Sequence, residues 1–396
     1  MSFISNFMQS NAGNECPKPY VLWTAYGLLS ATIGYRVYLD LEHFKVRPNI
    51  YILLVGPSGG RKTVARDKGV ELLLSAVPDI VLAGDNETYQ GVISYMHSEN
   101  SARRFIGLDG KEITYRPYCV FAPELMDYLQ LNPIGMVAFL TNLYDRSFYT
   151  YRLKNEEHVL ENPYIMMCAC STPEWLTDQL KAKQFSEGYG RRTIIVCHEG
   201  IVKKKPTFSD AERQAVVRCK IRLHEIQNII GPMVLEPSAD KWFWDWYLSS
   251  KEPDDKFLRN WNSTKHVNLL KIAMLTSLSE RDDRIITIPY LQMSLEMLNE
   301  VERGLPMITN LMGRSELTIP CANILNILRL HGGVMSCKEV KLKTYKDFKS
   351  SMEQWQVIEH LKNTEQIVEG QTANGIKVYA LPSYAQTPNS TNETKQ

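Results

Sequence analysis

The sequence predicts an α/β protein whose core is a strand, a glycine-rich loop and a helix. β-hairpins are inserted into that core, a helical segment follows it, and a small three-helix module closes the chain. Three observations carry this. Residues 50–55 are an unbroken apolar run bounded by Pro48 and Gly56, and from Thr63 the pattern turns helical. Further apolar runs at 118–121, 164–170 and 193–197 alternate with helical patterns, as an α/β core requires. Near the end, three helical stretches precede two short runs around Asn374 and Gly375, which is a hairpin signal.

The loop reads Gly56, Pro57, Ser58, Gly59, Gly60, Arg61, Lys62, Thr63. Gly56, Lys62 and Thr63 fit the phosphate-binding spacing G-x-x-x-x-G-K-[ST], although Arg61 stands at the second glycine, with Gly59 and Gly60 just before it. These residue types suit ATP and Mg2+. Backbone N–H groups of a tight glycine turn wrap a polyphosphate, and the helix amino end adds its positive dipole. Lys62 reaches the β- and γ-phosphates, and the Thr63 hydroxyl ligates Mg2+. The plainer alternative is a strand-to-helix turn that is merely rich in glycine.

With 396 residues the chain has room for two or three domains, and 44% hydrophobic residues is ample for a core. A formal net charge of +1 gives no global basic surface, so contact with nucleic acid must come from local patches. Eight cysteines without a C-x-x-C pair, without histidines at zinc spacing and without a leader segment suggest reduced thiols and a cytoplasmic location. Cys168 and Cys170 read as core residues. The longest apolar stretch, residues 20–33, is interrupted by Thr and Ser and falls short of the about 20 residues that span a bilayer.

In chain order, residues 1–48 read as an N-terminal helical cap, with a helix over 19–41 that turns Trp23, Tyr26, Leu28 and Leu29 to one side. The helix from Thr63 ends before Pro78, a short strand spans 80–82, and Asn86 or Thr88 caps a helix reaching His97. Residues 103–108 and 111–116 flank Asp109 and Gly110 as a hairpin, with Arg103, Arg104 and Lys111 either on the surface or reaching a substrate. The strand at 118–121 ends in Ala122, Pro123 and Glu124. Glu124 is the candidate base that polarises a water at the γ-phosphate, or else a carboxylate favoured at a helix start; Pro123 stands where an Asp often serves Mg2+.

A helix over 125–143 should break near Asn132 and Pro133, and a second hairpin spans 147–161 with its polar tip at Lys154. The strand at 164–170 ends in Ser171 and Thr172, candidates to bond the γ-phosphate or the attacking water, with Thr172 equally suited to cap the helix opened by Pro173. GYGRR then puts Arg191 and Arg192 beside the strand at 193–197, as a finger for a neighbouring subunit's phosphate or as a solvated basic turn.

The core thus covers 49–199, and Lys203, Lys204, Lys205 and Pro206 link it to a helical bundle over 200–315 with helices at 209–229, 238–249, 262–278 and from 289. Trp242, Trp244 and Trp246 read as core and interface anchors, and Lys265, His266 and Lys271 as solvated positions or lid contacts. Residues 320–382, with helices at 321–330, 336–342 and 345–362 and strands at 366–369 and 376–381, make a winged-helix pattern. Lys343, Lys346 and Lys349 would face DNA phosphates, or the wing would contact a protein. A polar tail from 383 reads as disordered.

Several segments recur in a recognisable order: LWTAYGLLSATIGYRVYL, RPNIYILLVGPSGGRKT, FAPELMDYL, ENPYIMMCACSTPEWL, EGYGRRTIIV and STKHVNLLKIAMLTSL. From Trp23 to Leu305 the chain resembles the helicase-like P-loop ATPases of phages and mobile genetic elements, a group often described as primase-helicase or replication proteins. The resemblance implies a RecA- or AAA+-like core that hydrolyses ATP between subunits of a hexameric ring and moves on DNA, with primase or other replication proteins as partners. It implies phosphate and Mg2+ binding by Lys62 and Thr63, catalysis by Glu124, sensing by Ser171 or Thr172 and a trans finger at Arg191 or Arg192. It also implies that the hairpin around Lys154 lines the channel, where Arg152 and Lys154 touch DNA. A different class of function, an ATP-switched helicase loader or DNA-binding regulator without unwinding, fits the same residues.

Overall fold

The structure is a computed structural model that describes residues 2–129, 131–152, 156–179, 188–254, 256–308, 318–348, 350–372 and 374–384. It divides into two compact units, Met1–Leu311 and Met312–Gln396. The segments expected as cap, core and helical bundle pack on one another inside the first unit.

That unit begins with α1 (Phe3–Ser10), α2 (Lys18–Ile33), β1 (Val37–Asp40), β2 (Lys45–Val46) and β3 (Tyr51–Val55), then α3 (Lys62–Ala76) and α4 (Tyr89–His97). There follow β4 (Arg103–Ile106), β5 (Glu112–Val120), α5 (Leu125–Leu129), α6 (Pro133–Leu143), β6 (Phe148–Arg152), β7 (Glu157–Glu161), β8 (Pro163–Ser171), α7 (Pro173–Gln179) and β9 (Thr193–Cys197). The unit continues with α8 (Asp210–Ile226), β10 (Gly231–Leu235), α9 (Pro237–Ser249), α10 (Lys256–Asn262), α11 (Lys265–Glu280), β11 (Ile285–Ile286) and α12 (Ile288–Gly304).

The fold is mixed α/β. Its main sheet has the order β4-β5-β8-β3-β9, with β5, β8, β3 and β9 parallel and β4 antiparallel at one edge. All residues of β3 and β8 are buried, which is why both read as continuous apolar runs, and Cys168 and Cys170 stand in this core. The first hairpin forms around Gly110 at φ 77°, but its second strand does not stop there. Residues 112–120 make one strand, paired with β4 up to Tyr115 and with β8 from Arg116, so Pro117 sits just past the point where β5 passes from the edge hairpin to the main sheet. The strand expected at 80–82 is only a parallel bridge between Leu82 and Cys119.

Helix α2 is apolar nearly all round because it is enclosed rather than capping. Its Gly27 lies against Cys168, its Thr24 and Leu28 against Gly69 of α3, and the Tyr26 hydroxyl bonds Thr276 Oγ1 of α11 at 2.8 Å. Residues 200–308 are not helical throughout, as the sequence suggested. β10 lies between β1 and β11 in a second sheet, β11-β10-β1-β2, and strands of five and two residues are too short to leave a periodic signal. On α9 the buried side chains are Ala239 and Phe243, whereas Trp244 is 39% exposed and Trp242 stacks on Trp246 at 6.5 Å; the tryptophans are not core anchors, because the inward stripe of this helix passes through position 243.

The second unit holds α13 (Thr318–Leu330), β12 (Val334–Ser336), α14 (Cys337–Thr344), α15 (Ser351–Asn363), β13 (Val368–Gln371) and β14 (Lys377–Ala380). Its antiparallel sheet has the order β12-β14-β13, and Ile324, Leu328, Val340, Val357, Ile358 and Leu361 pack in its core. The third helix starts at Ser351 rather than 345, because the Ser350 hydroxyl caps it by accepting from Glu353 N at 3.2 Å. No helix among the described residues is long and apolar enough to cross a membrane.

Glu212 ties the amino-terminal turn to α8. One carboxylate oxygen accepts from Gly13 N at 2.7 Å, and the other accepts from Ser209 N at 2.7 Å and Ser209 Oγ at 2.8 Å. The Ser209 and Gly13 donors hold this carboxyl below its ordinary value, against the opposing effect of burial. Its contribution is therefore fully present above the ordinary glutamate range of about 4 and is lost as pH falls through the lower folded value. Glu212→Gln should cost on the order of 2 kcal/mol in urea unfolding at pH 7, and the cost should shrink as pH falls through the lowered folded value; a cost that stays constant down to full protonation would contradict the ionic role.

Candidate functional site

The glycine-rich loop leaves the carboxyl end of β3, where Val55 pairs with Ser171 on one side and Cys197 on the other. A Cβ at Gly56 would stand 2.1 Å from the Tyr20 hydroxyl and 2.6 Å from His198 O, so only glycine fits. Gly60 N donates to Pro57 O at 3.0 Å and closes the turn, while Gly59, at φ 76°, faces open space. Arg61 then takes the left-handed conformation, φ 58° and ψ 23°, at the residue preceding α3. The position where the general motif has its second glycine thus keeps a glycine-like backbone, at a cost of about 1–2 kcal/mol for a residue with a side chain. Arg61 Nε also pairs with Glu15 at 3.1 Å.

Lys62 is only 5% exposed, and its ammonium donates to Gly56 O at 2.8 Å and Pro57 O at 2.9 Å, inside the curve of the loop. Ser58 is exposed, and Thr63, one residue into α3, is half-buried. A polyphosphate fits these parts: open space at Gly59, the amino end of a 15-residue helix and a lysine held among the loop carbonyls. Among the described residues no group of three His, Cys, Asp or Glu side chains is placed to hold a metal ion. Mg2+ commonly takes few protein ligands and completes its shell from phosphate and water, so Thr63 would serve it in that mode.

Three hydrogen bonds to backbone carbonyls gather the strand ends around the loop. Gly56 N donates to Ser171 O at 3.3 Å, Cys170 N to Ala122 O at 3.1 Å, and Arg66 Nε of α3 to Phe121 O at 2.9 Å. Glu124 follows directly and is half-buried. Burial raises its carboxyl above the ordinary value and Asp127 adds to the rise, while the Lys62 ammonium pulls it back. Ser171 is 1% exposed, and its hydroxyl makes a long 3.4 Å bond to Thr172 O. Thr172 Oγ1 accepts from Trp175 N at 3.4 Å, which is the capping geometry. Tyr20, Glu15 and Arg66 escaped the sequence reading. Their roles depend on distances across the fold, and their residue types carry no motif.

The two arginines of GYGRR lie elsewhere. Thr193 pairs with Tyr51, so Arg191 and Arg192 stand at the amino end of β9, roughly 15 Å along the strand from the loop of their own chain. Arg192 Nε donates to Asp145 at 3.3 Å, while Arg191 Nε is buried with no partner among the described residues. Of the side chains expected to meet DNA, Arg152 pairs with Glu157 at 2.7 Å and Lys111 with Asp109 at 3.7 Å. Lys346 lies 5.9 Å from its neighbour Tyr345, and Lys154 and Lys349 fall outside the described residues. Lys271 is not a solvated position: it is 1% exposed and bonded to Asn49, because α11 packs beside the residue that leads into β3.

Neither protein-family models nor curated proteins give a match to this chain.

Arg61→Gly would relieve the left-handed strain and lose a half-exposed ion pair worth about 0–1 kcal/mol, with about 0.5–1 kcal/mol of added chain entropy. Unfolding stability should stay within about 1 kcal/mol of the parent or rise. A loss beyond about 2 kcal/mol would show that the contacts of Arg61 outweigh its backbone.

Proposed function

We propose that this protein is an ATP-hydrolysing, ring-forming DNA helicase or translocase serving the replication of a phage or mobile element. The observation that carries the reading is the meeting of Lys62, in its glycine-rich loop, with Glu124 and Ser171 at the carboxyl ends of three adjacent parallel strands. In a P-loop core of RecA or AAA+ type, that end of the sheet is where ligand and water meet. Lys62 and the loop amides hold the phosphates. Thr63 would hold Mg2+, which would supply positive charge to neutralise the phosphates. Glu124 accepts a proton from the water whose oxygen bonds the γ-phosphorus; the bond to the β–γ bridging oxygen breaks, and ADP departs with that electron pair. A raised carboxyl suits this base, and the Ser171 hydroxyl orients the water or a γ-oxygen.

The ring rests on Arg191. It is too far from its own loop to serve it, and the planar, permanently charged guanidinium of this half-buried residue suits the phosphate of a neighbouring subunit. The DNA reading draws on the β6–β7 hairpin with Arg152 and on the second unit, whose three helices and antiparallel hairpin accord with a winged helix carrying Lys346. A second reading, an ATP-switched loader or regulator that does not unwind, is favoured by one observation. Arg104, Lys111 and Arg152 on the two hairpins are each paired with a carboxylate, which weakens their pull on phosphate.

Lys62→Ala should abolish ATP binding and turnover. Glu124→Gln should bind ATP and hydrolyse it at least about 100-fold more slowly, and unchanged turnover would remove Glu124 from catalysis. A strand-displacement assay at saturating ATP separates the readings: product from the parent protein marks a helicase, whereas DNA-stimulated turnover without displacement marks the loader.

A further inference from the structure

At the opposite end of the main sheet lies a cavity of about 540 Å3 that the ATP reading leaves unused. It opens where Asn49 leads into β3, Pro163 starts β8 and Arg192 precedes β9, and α11 forms its inner wall. Lys45, Arg47, Arg146, Arg192 and Lys271 line it, against the single carboxylate of Asp145. The deepest of these is Lys271, whose ammonium donates to Asn49 O and Oδ1, both at 3.0 Å, and lies 3.8 Å from the centre of the Tyr144 ring.

None of these contacts neutralises the lysine. Asp145, the one acid present, is shared with Arg192 Nε at 3.3 Å. Burial pushes the Lys271 ammonium down to about 7, with Arg192 acting in the same direction and Asp145 against it. Two polar atoms of lining residues, Asn268 Nδ2 and the Tyr144 hydroxyl, are buried with no hydrogen-bond partner. Such an excess of cations and unsatisfied polar atoms in one cavity is costly unless an anion completes it. Arg47 lies over the Tyr35 ring at 3.1 Å, and this contact holds its guanidinium at the cavity wall. The volume lies within the range of small-molecule sites, and a lysine this deep is out of reach of a polymer backbone.

We propose that this cavity is a second ligand site, one that takes a phosphorylated small molecule of nucleotide size, with the phosphate among Lys271, Arg47 and Arg192. It is independent of the glycine-rich loop and lies across the sheet from it.

The test uses the full chain carrying Lys62→Ala, so that the loop takes no part, with inorganic pyrophosphate and AMP as probes in titration calorimetry without Mg2+. Saturable binding of at least one probe is expected, weakened at least about tenfold by adding Lys271→Met or, separately, Arg47→Gln. Circular dichroism checks each fold; should Lys271→Met fail to fold, the half-buried Arg47→Gln carries the test. The proposal is overturned if neither probe binds the Lys62→Ala protein, or if the folded double variants bind as tightly as it does. ATP turnover by the parent protein is a separate readout, so its failure would sink the loop reading alone.

Discussion

Position 56 has room for a hydrogen and nothing larger, and the first unit is assembled around that limit. The Tyr20 hydroxyl shares its proton between Val55 O at 2.8 Å and His198 O at 3.1 Å, directly over the Gly56 Cα. Helix α2, the end of β3 and the chain leaving β9 therefore meet one residue before the loop begins. The apolar surface of α2, enclosed between the sheet, α3 and α11, supplies the burial that holds this tyrosine in place. The loop is anchored at its start by a hydroxyl from α2 and at its end by α3, whose Arg66 also reaches Phe121.

That arrangement explains what could be read from the sequence. The loop and its strand were legible because burial on both faces forces an unbroken apolar run, and because lysine and threonine after glycines form a local pattern. Glu124 and Ser171 were legible as polar residues ending apolar runs. Tyr20 was not, since 35 residues separate it from Val55 and nothing local distinguishes a tyrosine that donates there from one that packs. Lys271 was misread for a statistical reason: lysines are seldom buried, and only the approach of α11 to Asn49 makes this one an exception. The strands β10 and β11 were too short for periodicity to register, and the continuity of β5 was hidden by Pro117.

The two ends of the main sheet differ in chemistry as a result. At the carboxyl end stand the glycine-rich loop, the Ser171 hydroxyl and the Glu124 carboxylate, with one lysine bonded to two loop carbonyls. At the amino end, the charge is almost all of one sign and the only acid is shared. A parallel sheet aligns its strands so that each end collects the connections of one kind, and here one collection carries the glycine-rich loop and Glu124 while the other gathers most of its charge in cations. Arg192 belongs to the second group through Asp145, while Arg191, its neighbour, is left with an unpartnered Nε.

Lys62 has a consequence of its own. Its ammonium is already solvated, by two carbonyls of the loop it belongs to. Any anion entering must compete with those internal bonds, so much of the attraction of the lysine is cancelled before binding begins. A small monovalent ion gains too little to offset that loss. Under the ATP proposal, a chain of phosphates that engaged the lysine, the amides and the helix end together would gain enough. On the proposed reading, the self-contact would make the loop a filter for the number of charges an anion carries and the length over which it presents them.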